Sequence, residues 1–494
     1  MTRLLPERAL RRTSAIAAAV LALAVAGCAD MGATASSPEM QTAQSLGLTA
    51  APAAQAAPAL DSQWWLAFGD PQLDALVDQA IAGNPSLQVA LARLARAQAS
   101  VMSTAAADKP QLNGGLDLTR QKFSDNYIYP APLGGSVQEA GMLQFNGSWE
   151  IDFFGKNRTA LDAALGTANA AAAEADAARV LLAGNVARSY VQWARLNDRM
   201  VVAQRALAQR EELLKLVRDR VSAGLDTRLQ LKQSESSVPE ARQQIEALYE
   251  QIAIAQHALD ALVAKPGATL ALTPPRLANF KNLALQQSIP ADLLGRRADI
   301  AAARWRVEAA TSDVANAKTQ FYPNVNLVAF AGFQSIGFGK LLESGSQQWG
   351  VGPAIRLPIF EGGRLRANLR GKSADLDAAI DSYNGTVIDA VRDVADQLSS
   401  VQYVARQQVQ QKEAQDAAEA AYDIGLQRYS AGLGNYLDVL TAEVTVLAQR
   451  RDGVDLAARA LETQVSLARA LGGGWQPSDT ITAASAAAPA PRNP

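Results

Sequence analysis

Two very long stretches without proline constrain the fold of this chain more than any other feature of its sequence. No proline occurs from Leu133 to Val238 or from Ile359 to Gln476, and apolar residues in both stretches recur mostly at steps of three, four or seven. One run in the first stretch keeps a strict seven-residue step: Val186, Trp193, Met200, Leu207, Leu214 and Val221. Sustained heptads of this kind indicate helices packed as coiled coils.

The same pattern sets the length of the predicted helices. Long helices are predicted at about 158–221 and 364–429, followed by return helices at 226–264 and 435–471. At 1.5 Å per residue each long helix would measure about 95 Å, which exceeds an ordinary globular domain. Heptads fit a solid bundle or stalk as well as a curved wall of helices, so the helices alone leave the architecture open.

The chain contains an internal duplication. The segment Ser222-Ala223-Gly224-Leu225 returns 208 residues later as Ser430-Ala431-Gly432-Leu433, and an arginine stands two residues before each copy. We therefore predict a first repeat at 61–265, a connection at 266–289 and a second repeat at 290–474. Each repeat would contain a helix, two strands, a long helix, a turn and a return helix.

Four segments alternate between apolar and polar residues, as strands with two different faces do. The clearest runs from Leu143 to Phe153, with an aromatic-rich apolar side. The predicted strands are 111–122, 142–153, 323–334 and 348–359. Strands of about ten residues with this pattern are typical of outer-membrane barrels, and four strands cannot close a barrel, so identical partners should complete it. Two soluble hairpins packed on a helix end are the alternative interpretation.

Composition argues against most catalytic and metal chemistry. The chain has one Cys and one His, so it can form neither an internal disulfide nor a cluster of histidine ligands. Its 46 basic and 48 acidic residues leave a formal net charge of −2. Nucleic-acid-binding surfaces are strongly basic, so no nucleic-acid partner is expected. We predict a protein that is not an enzyme and has no metal site.

The N-terminus has the layout of a lipoprotein signal. Four arginines precede an apolar run that ends at Ala26 and is too short to span a bilayer. Cys28, the only cysteine, follows directly and looks like the acylated residue of a bacterial lipobox. We predict a signal peptide at 1–27 and a covalent lipid on Cys28, with a chance cysteine near a cleavage site as the alternative.

Two segments of low complexity flank the repeats. Residues 28–60 are rich in Ala, Ser, Thr and Pro and are predicted to form a tether. Residues 475–494, rich in Ala and Pro, are predicted to be a disordered tail.

Several motifs, in order along the chain, resemble TolC-type outer-membrane efflux proteins, in the branch of drug-efflux lipoproteins. The matching segments are Trp65–Leu73, Asn84–Leu87, Trp149–Gly155, Leu293–Ile300 and Arg428–Leu440. The resemblance extends from about Trp64 to Leu471. One departure is Ala298, where the family usually has proline and where we expect an altered turn.

The resemblance implies a homotrimer in the outer membrane. Its twelve-stranded barrel, with four strands from each chain, would continue into a helical tunnel through the periplasm. An equatorial domain would form from residues near 41–60, from 266–289 and from the C-terminal end. Such proteins are exit ducts of tripartite pumps that dock with a periplasmic adaptor and an inner-membrane RND-type transporter. The cargo would be drugs or other small toxic compounds; ducts for protein secretion or metal-ion efflux share the fold.

The resemblance also assigns roles at the two Ser-Ala-Gly-Leu turns. Gly224 and Gly432 would contact the adaptor, and Tyr429, Leu437 and Asp438 would close the tunnel entrance. Three copies of Asp438 around one axis would form a carboxylate ring that attracts cations. The alternatives are plain helix-helix turns and a solvated aspartate. Many relatives have a second acidic residue at the position of Thr441, so this gate would have at most part of that arrangement.

Overall fold

The computed structural model describes residues 38–48, 60–285, 293–477 and 480–482, which contain seven α-helices and four strands. The helices are α1 (Pro71–Gly83), α2 (Pro85–Ala106), α3 (Lys156–Ser222), α4 (Arg228–Leu262), α5 (Ala298–Thr319), α6 (Arg364–Ser430) and α7 (Tyr436–Ala470). Within these described ranges, no helix is both long enough and apolar enough to cross a membrane.

The duplication appears as a single offset between two helical hairpins. The long helices α3 and α6 each contain 67 residues, and the return helices α4 and α7 each contain 35. Each pair starts 208 residues apart. Gly155 and Gly363 precede the long helices with φ of 77° and 85°, a conformation that glycine adopts without steric cost. Both long helices therefore begin at a glycine corner where the chain leaves the sheet.

The strands form one antiparallel sheet in the order β1-β2-β3-β4. They are β1 (Gln111–Lys122), β2 (Val137–Ile151), β3 (Asn324–Ile336) and β4 (Gln347–Arg356). The register sets Phe145 opposite Gly114 and Ala331, and Ala331 opposite Trp349. One face of the sheet is therefore a continuous apolar surface, and its large side chains are mostly exposed in the single chain.

The opposite face of the sheet is mainly polar. Gln348 Nε2 donates to Gln144 Oε1 at 3.1 Å across it. Phe330 and Val328 also fall on this face by register, which explains why β3 has the weakest alternation of the four strands. A Cβ on Gly350 would lie 2.6 Å from Phe330 Cε1, so a larger residue there would require the ring to move.

Several observed ends differ from the prediction by one to five residues for local reasons. β2 begins at Val137 rather than 142, because β1 reaches far enough for Lys122 to pair with it. β4 ends at Arg356 rather than 359, because Pro358 has no N–H for the ladder. α4 begins after Thr227, whose side chain caps the helix.

Ala298 is the first residue of α5, so the departure from the family pattern falls at a helix start. Arg297 before it has φ −115° and ψ 125°, the extended conformation that normally precedes proline. The first helical position is also where proline is best tolerated. Alanine there keeps a backbone that also suits proline, and the expected change of the turn stays a prediction.

The largest hydrophobic core surrounds the middle of α3. Aromatic side chains of the N-terminal segment pack against its buried residues: Trp64, Trp65 and Phe68. Asp70 caps α1, and Tyr190 Oη of α3 donates to Asp70 Oδ2 at 2.9 Å. The motif at Trp65–Leu73 thus attaches the N-terminal segment to the centre of the first long helix.

The connection between the repeats also lies beside the middle of α3. In the described residues 266–285, Leu277 N donates to Asp198 Oδ2 of α3 at 3.1 Å. Leu283 N donates to Gln464 Oε1 of α7 at 2.8 Å. The connection therefore crosses from the first hairpin to the second.

Part of the predicted tether is folded against α6. Gln41 N donates to Asn384 Oδ1 at 2.7 Å, and Asn384 Nδ2 donates to Glu39 O at 2.9 Å. Met40 and Leu46 pack on the cluster that contains Tyr383. This burial holds residues 38–48 on the helix.

The prediction of a disordered tail is wrong for its described residues, 475–477 and 480–482. Trp475 Nε1 donates to Asp176 Oδ2 at 2.8 Å, and Ile481 N donates to Asn169 Oδ1 at 2.7 Å. Both acceptors lie on α3. The composition of the segment does not predict these two contacts with α3, because each is made by a single apolar residue in an Ala- and Pro-rich stretch.

Candidate functional site

The turns at the far ends of the two hairpins close in the same way. Gly224 has φ 73° and Gly432 has φ 77°. Leu225 N donates to Arg220 O at 2.9 Å, and the second turn repeats this bond, which is the Schellman pattern that ends helices at a left-handed glycine. Among the described residues, no atom comes within 4 Å of a Cβ placed on either glycine. Both glycines therefore occupy open apices.

Each return helix begins with a capping box. Asn435 Oδ1 accepts from Asp438 N at 2.9 Å, and Asp438 Oδ2 accepts from Asn435 N at 3.4 Å. Thr227 and Gln230 form the same box in the first hairpin. The box holds Asp438 on the exposed side of the first turn of α7, next to Leu437, which is 66% exposed.

Tyr429 belongs to a network that joins the two turns. Its hydroxyl donates to Asp226 Oδ2. Arg220 Nε donates to the same oxygen at 2.8 Å, and Arg220 Nη1 donates to Tyr429 O at 3.1 Å. The guanidinium also lies 4.6 Å from the centre of the Tyr429 ring, within cation-π range. One carboxylate and one guanidinium thus tie the last turn of α6 to the turn of the first hairpin.

The network needs an ionised Asp226 and a neutral Tyr429 hydroxyl, and the surroundings of the two side chains favour these states. Burial alone would raise the pKa of Asp226, but hydrogen bonds from Arg220 and Tyr429 outweigh it and lower the pKa below its ordinary value of 3.8. Burial, then the bond to Asp226, raises the pKa of the Tyr429 hydroxyl. A carboxyl pKa that is lower in the folded protein than in the unfolded chain stabilises the fold at pH values above the unfolded-chain pKa. This stabilisation is lost as the pH falls through the lowered pKa of the folded protein. The network is therefore intact at neutral pH and is lost only in acid, as the pH falls below the ordinary carboxyl pKa of 3.8.

The second turn does not repeat this network. The position equivalent to Asp226, 208 residues later, is Gly434. A Cβ there would lie 3.3 Å from Arg428 Cβ, and Arg428 donates to Leu433 O at 3.2 Å. Sequence reasoning missed Asp226 as a site residue. The available signal was the break in the duplication, an aspartate in one repeat and a glycine in the other.

Buried ion pairs join the same hairpins further from the turns. Arg210 Nε of α3 donates to Glu443 Oε1 of α7 at 2.7 Å. Arg450 of α7 donates to Glu419 Oε1 of α6 at 2.6 Å and to Gln209 Oε1 of α3 at 2.8 Å. Breaking a buried pair leaves an uncompensated charge, so these pairs hold α3, α6 and α7 in register above the turns.

A sheet with one apolar face, joined to two equal helical hairpins that meet at their tips, has the form of a channel wall. The sequence model of the family described as outer membrane efflux protein matches residues 76–265 and 289–473. The chain belongs to the outer membrane efflux protein family. The resemblance to TolC-type proteins is thereby confirmed.

Known members of the outer membrane efflux protein family are similar over most of the chain. It is 39% identical to the fusaric acid resistance protein FusA of Burkholderia cepacia, over 74% of this chain and 70% of FusA. It is 33% identical to the multidrug resistance outer membrane protein MdtQ of Escherichia coli O157:H7, over 94% of this chain and 98% of MdtQ. The crystal structure of the outer membrane protein VceC from Vibrio cholerae matches with a TM-score of 0.78 and 36% identity, over 83% of this chain and 98% of VceC.

Membership in this efflux family and the likeness to VceC confirm the mixed α and β channel fold and the location in the outer membrane, with a periplasmic helical extension. The structure brings Tyr429, Leu437 and Asp438 together at the tips, beside both glycine turns. Their roles as gate and adaptor contact stay predictions. Cys28 and the predicted signal peptide at 1–27 lie outside the described residues.

The duplication supplies a matched pair of substitutions for the tip network. Arg220→Ala removes a guanidinium bonded to Asp226 and Tyr429, whereas Arg428→Ala removes its equivalent, bonded to a backbone oxygen of its own turn. A hydrogen bond contributes about 0.5–1.5 kcal/mol net of the water that replaces the lost partner, so about 1 kcal/mol is expected for this tie. We expect Arg220→Ala to speed amide exchange at both turns roughly fivefold, measured by hydrogen–deuterium exchange with mass spectrometry. Equal effects of the two substitutions would contradict the tie between the hairpins.

Proposed function

We propose that three copies of this chain close a twelve-stranded barrel and form an outer-membrane exit duct. The observation that carries the proposal is the sheet: β1 and β4 each have one strand neighbour in the described part of the chain. A bilayer cannot satisfy an open strand edge, and single-chain barrels begin at about eight strands. Three sheets of four strands exceed that minimum, and the apolar face supplies the surface that lipid requires.

The duct would be the outer part of a tripartite efflux pump. The two turns support docking to a periplasmic adaptor, because each presents an exposed leucine beside its glycine. Leu225 is 65% exposed and Leu433 is 71% exposed. The adaptor would link the duct to an inner-membrane RND-type transporter, and the duct itself would catalyse no reaction.

The proposed cargo is small toxic organic compounds. FusA is named for fusaric acid resistance and MdtQ for multidrug resistance, and these names favour organic molecules over the alternatives. Ducts for protein secretion or metal ions share the fold, so the cargo has to be measured directly.

Deleting the gene should increase the sensitivity of the cells to organic antimicrobials, because the exit step is lost. Minimum inhibitory concentrations are measured for a drug panel and for metal salts, with the plasmid-borne wild type as complement. The variant Leu225→Asp/Leu433→Asp should reach the membrane as a trimer yet fail to restore resistance, while Leu225→Met/Leu433→Met should restore it. Unchanged drug sensitivity after deletion would contradict the function, and a change confined to metals would favour the metal-ion alternative.

We also propose that Cys28 is lipidated and anchors the duct. Asn384, which holds residues 39 and 41, lies 20 residues into α6, or about 30 Å from the sheet end of that helix. About ten residues separate Cys28 from Pro38, and they can span at most about 36 Å. The chain length therefore suffices for a lipid at Cys28 to enter the inner leaflet beside the barrel.

Metabolic labelling with radioactive palmitate tests the anchor. The wild type and an Ala29→Ser control should incorporate label, and Cys28→Ser should incorporate none, because acylation requires the thiol. Membrane attachment is a poor readout, since the barrel would hold the protein in place. Label retained by Cys28→Ser would contradict lipidation at this residue.

The gate is proposed to consist of Leu437 and Asp438, with Tyr429 holding the turn that carries them. Both gate side chains lie on the exposed side of α7, where three copies could approach a common axis. The leucines would narrow the entrance, and the carboxylates would attract cations.

Single-channel recordings in planar bilayers separate these two roles. Leu437→Ala should increase conductance because it removes bulk from the narrowest point. Asp438→Asn should leave conductance similar but reduce cation selectivity, since the amide oxygen can still serve the capping box. Leu229→Ala is the matched control, because Leu229 is the equivalent residue of the first repeat and is 67% exposed. An unchanged conductance for Leu437→Ala would contradict the assignment.

A further inference from the structure

Two loops at the end of the sheet furthest from the helices carry exposed apolar side chains. The first rim loop, residues 123–136, joins β1 to β2, and the second rim loop, residues 337–346, joins β3 to β4. Tyr127 and Ile128 of the first loop are 66% and 76% exposed, and Leu342 of the second is 71% exposed. Exposure of large apolar side chains at neighbouring positions is typical of an interaction surface.

The first rim loop is held in one conformation by its own contacts. Phe123 is buried, and its ring meets Tyr129 edge to face at 4.8 Å. Phe123 N donates to Ser136 O at 2.9 Å, and Gly135 N donates to Phe123 O at 3.0 Å. A loop ordered before binding loses little conformational entropy when a partner packs on it, so Tyr127 and Ile128 are presented ready for contact.

The second rim loop has one side attached to its own sheet and one side free. Leu341 is buried, and its Cδ2 lies 3.2 Å from a Cβ placed on Gly141 of β2. Leu342, the next residue, is exposed. The loop thus presents Leu342 away from the sheet that holds Leu341.

The strand order identifies the partner. Within one chain the two rim loops leave Tyr127, Ile128 and Leu342 exposed. When the barrel closes, β4 of one copy lies beside β1 of the next, and the second rim loop of one copy meets the first rim loop of its neighbour. We propose that Tyr127 and Ile128 pack against Leu342 of the adjacent copy, forming a collar of three equal contacts at the outer rim. This inference rests on the trimeric duct proposed above.

Charged residues favour a second copy over lipid as the occupant. Lys122 and Glu139 stand where β1 and β2 reach the first loop, and Lys340 and Glu343 flank Leu342 in the second. Charges at this level mark the end of the apolar band, because charged side chains are costly within hydrocarbon. The exposed apolar residues of the loops therefore lie beyond the lipid tails, at the level of the neighbouring loop.

Disulfide trapping tests the collar in the full-length protein purified from membranes. The double variant Ile128→Cys/Leu342→Cys is oxidised with copper phenanthroline and analysed on non-reducing gels. We expect covalent dimers and trimers that a reductant dissolves, and none from either single variant. Ile128→Cys/Leu341→Cys is the matched control, because Leu341 faces its own sheet, and Tyr127→Cys/Leu342→Cys is a second test pair should the first fold poorly.

The other outcomes distinguish failure of the collar from failure of the duct. Trimers detected by an amine cross-linker but without disulfide-linked chains would overturn the collar and leave the duct in place. A disulfide within one chain, seen as lost thiols without a larger species, would also overturn it. Absence of trimers with the wild type would contradict the proposed assembly itself.

Discussion

An open strand edge cannot persist in a bilayer, because nothing there can bond its free N–H and C=O groups. β1 and β4 each have one strand neighbour among the described residues, so the sheet is complete only when strands add on both sides. Four residues separate β2 from α3 and seven separate β4 from α6, and these short connections end in the corners at Gly155 and Gly363. Whatever closes the sheet therefore also arranges the helices, and the barrel and the helical wall are parts of one assembly.

The offsets between the repeats indicate where length is constrained. Both helical hairpins keep an offset of 208, whereas α2 and α5, like β1 and β3, start 213 residues apart. Most of the difference arises between the strands, because the first rim loop is longer than the second and the starts of β2 and β4 are 210 residues apart. Hairpins of unequal length would place their turns at different levels, and Tyr429 could then not reach Asp226. A rim loop projects beyond the sheet, so its length is free to vary.

The sequence predicts the long helices well because their heptad pattern occurs many times in succession. Sixty-seven-residue helices show their heptads many times, and the glycines at 224 and 432 follow from the need for a left-handed residue at each turn. The network of Asp226 and Tyr429 joins residues 203 positions apart, so no local pattern reports it. The composition of the tail predicts disorder and does not reveal the two residues that anchor it. In β3, apolar residues on both faces weaken the alternation.

The broken duplication at the tips gives the two turns different properties. Arg220 and Asp226 brace the first turn from within, by a bond between side chains of that same turn. In the second turn Gly434 replaces the aspartate, so Tyr429 takes its acceptor from the first turn instead. The tie between the turns is mutual, but the first turn also has an ion pair between its own side chains, whereas the second has only the bond from Arg428 to the backbone oxygen of Leu433. Leu437 and Asp438 follow the second turn, so the proposed gate residues lie on the turn without an internal ion pair, which is held in part by contacts to the neighbouring turn.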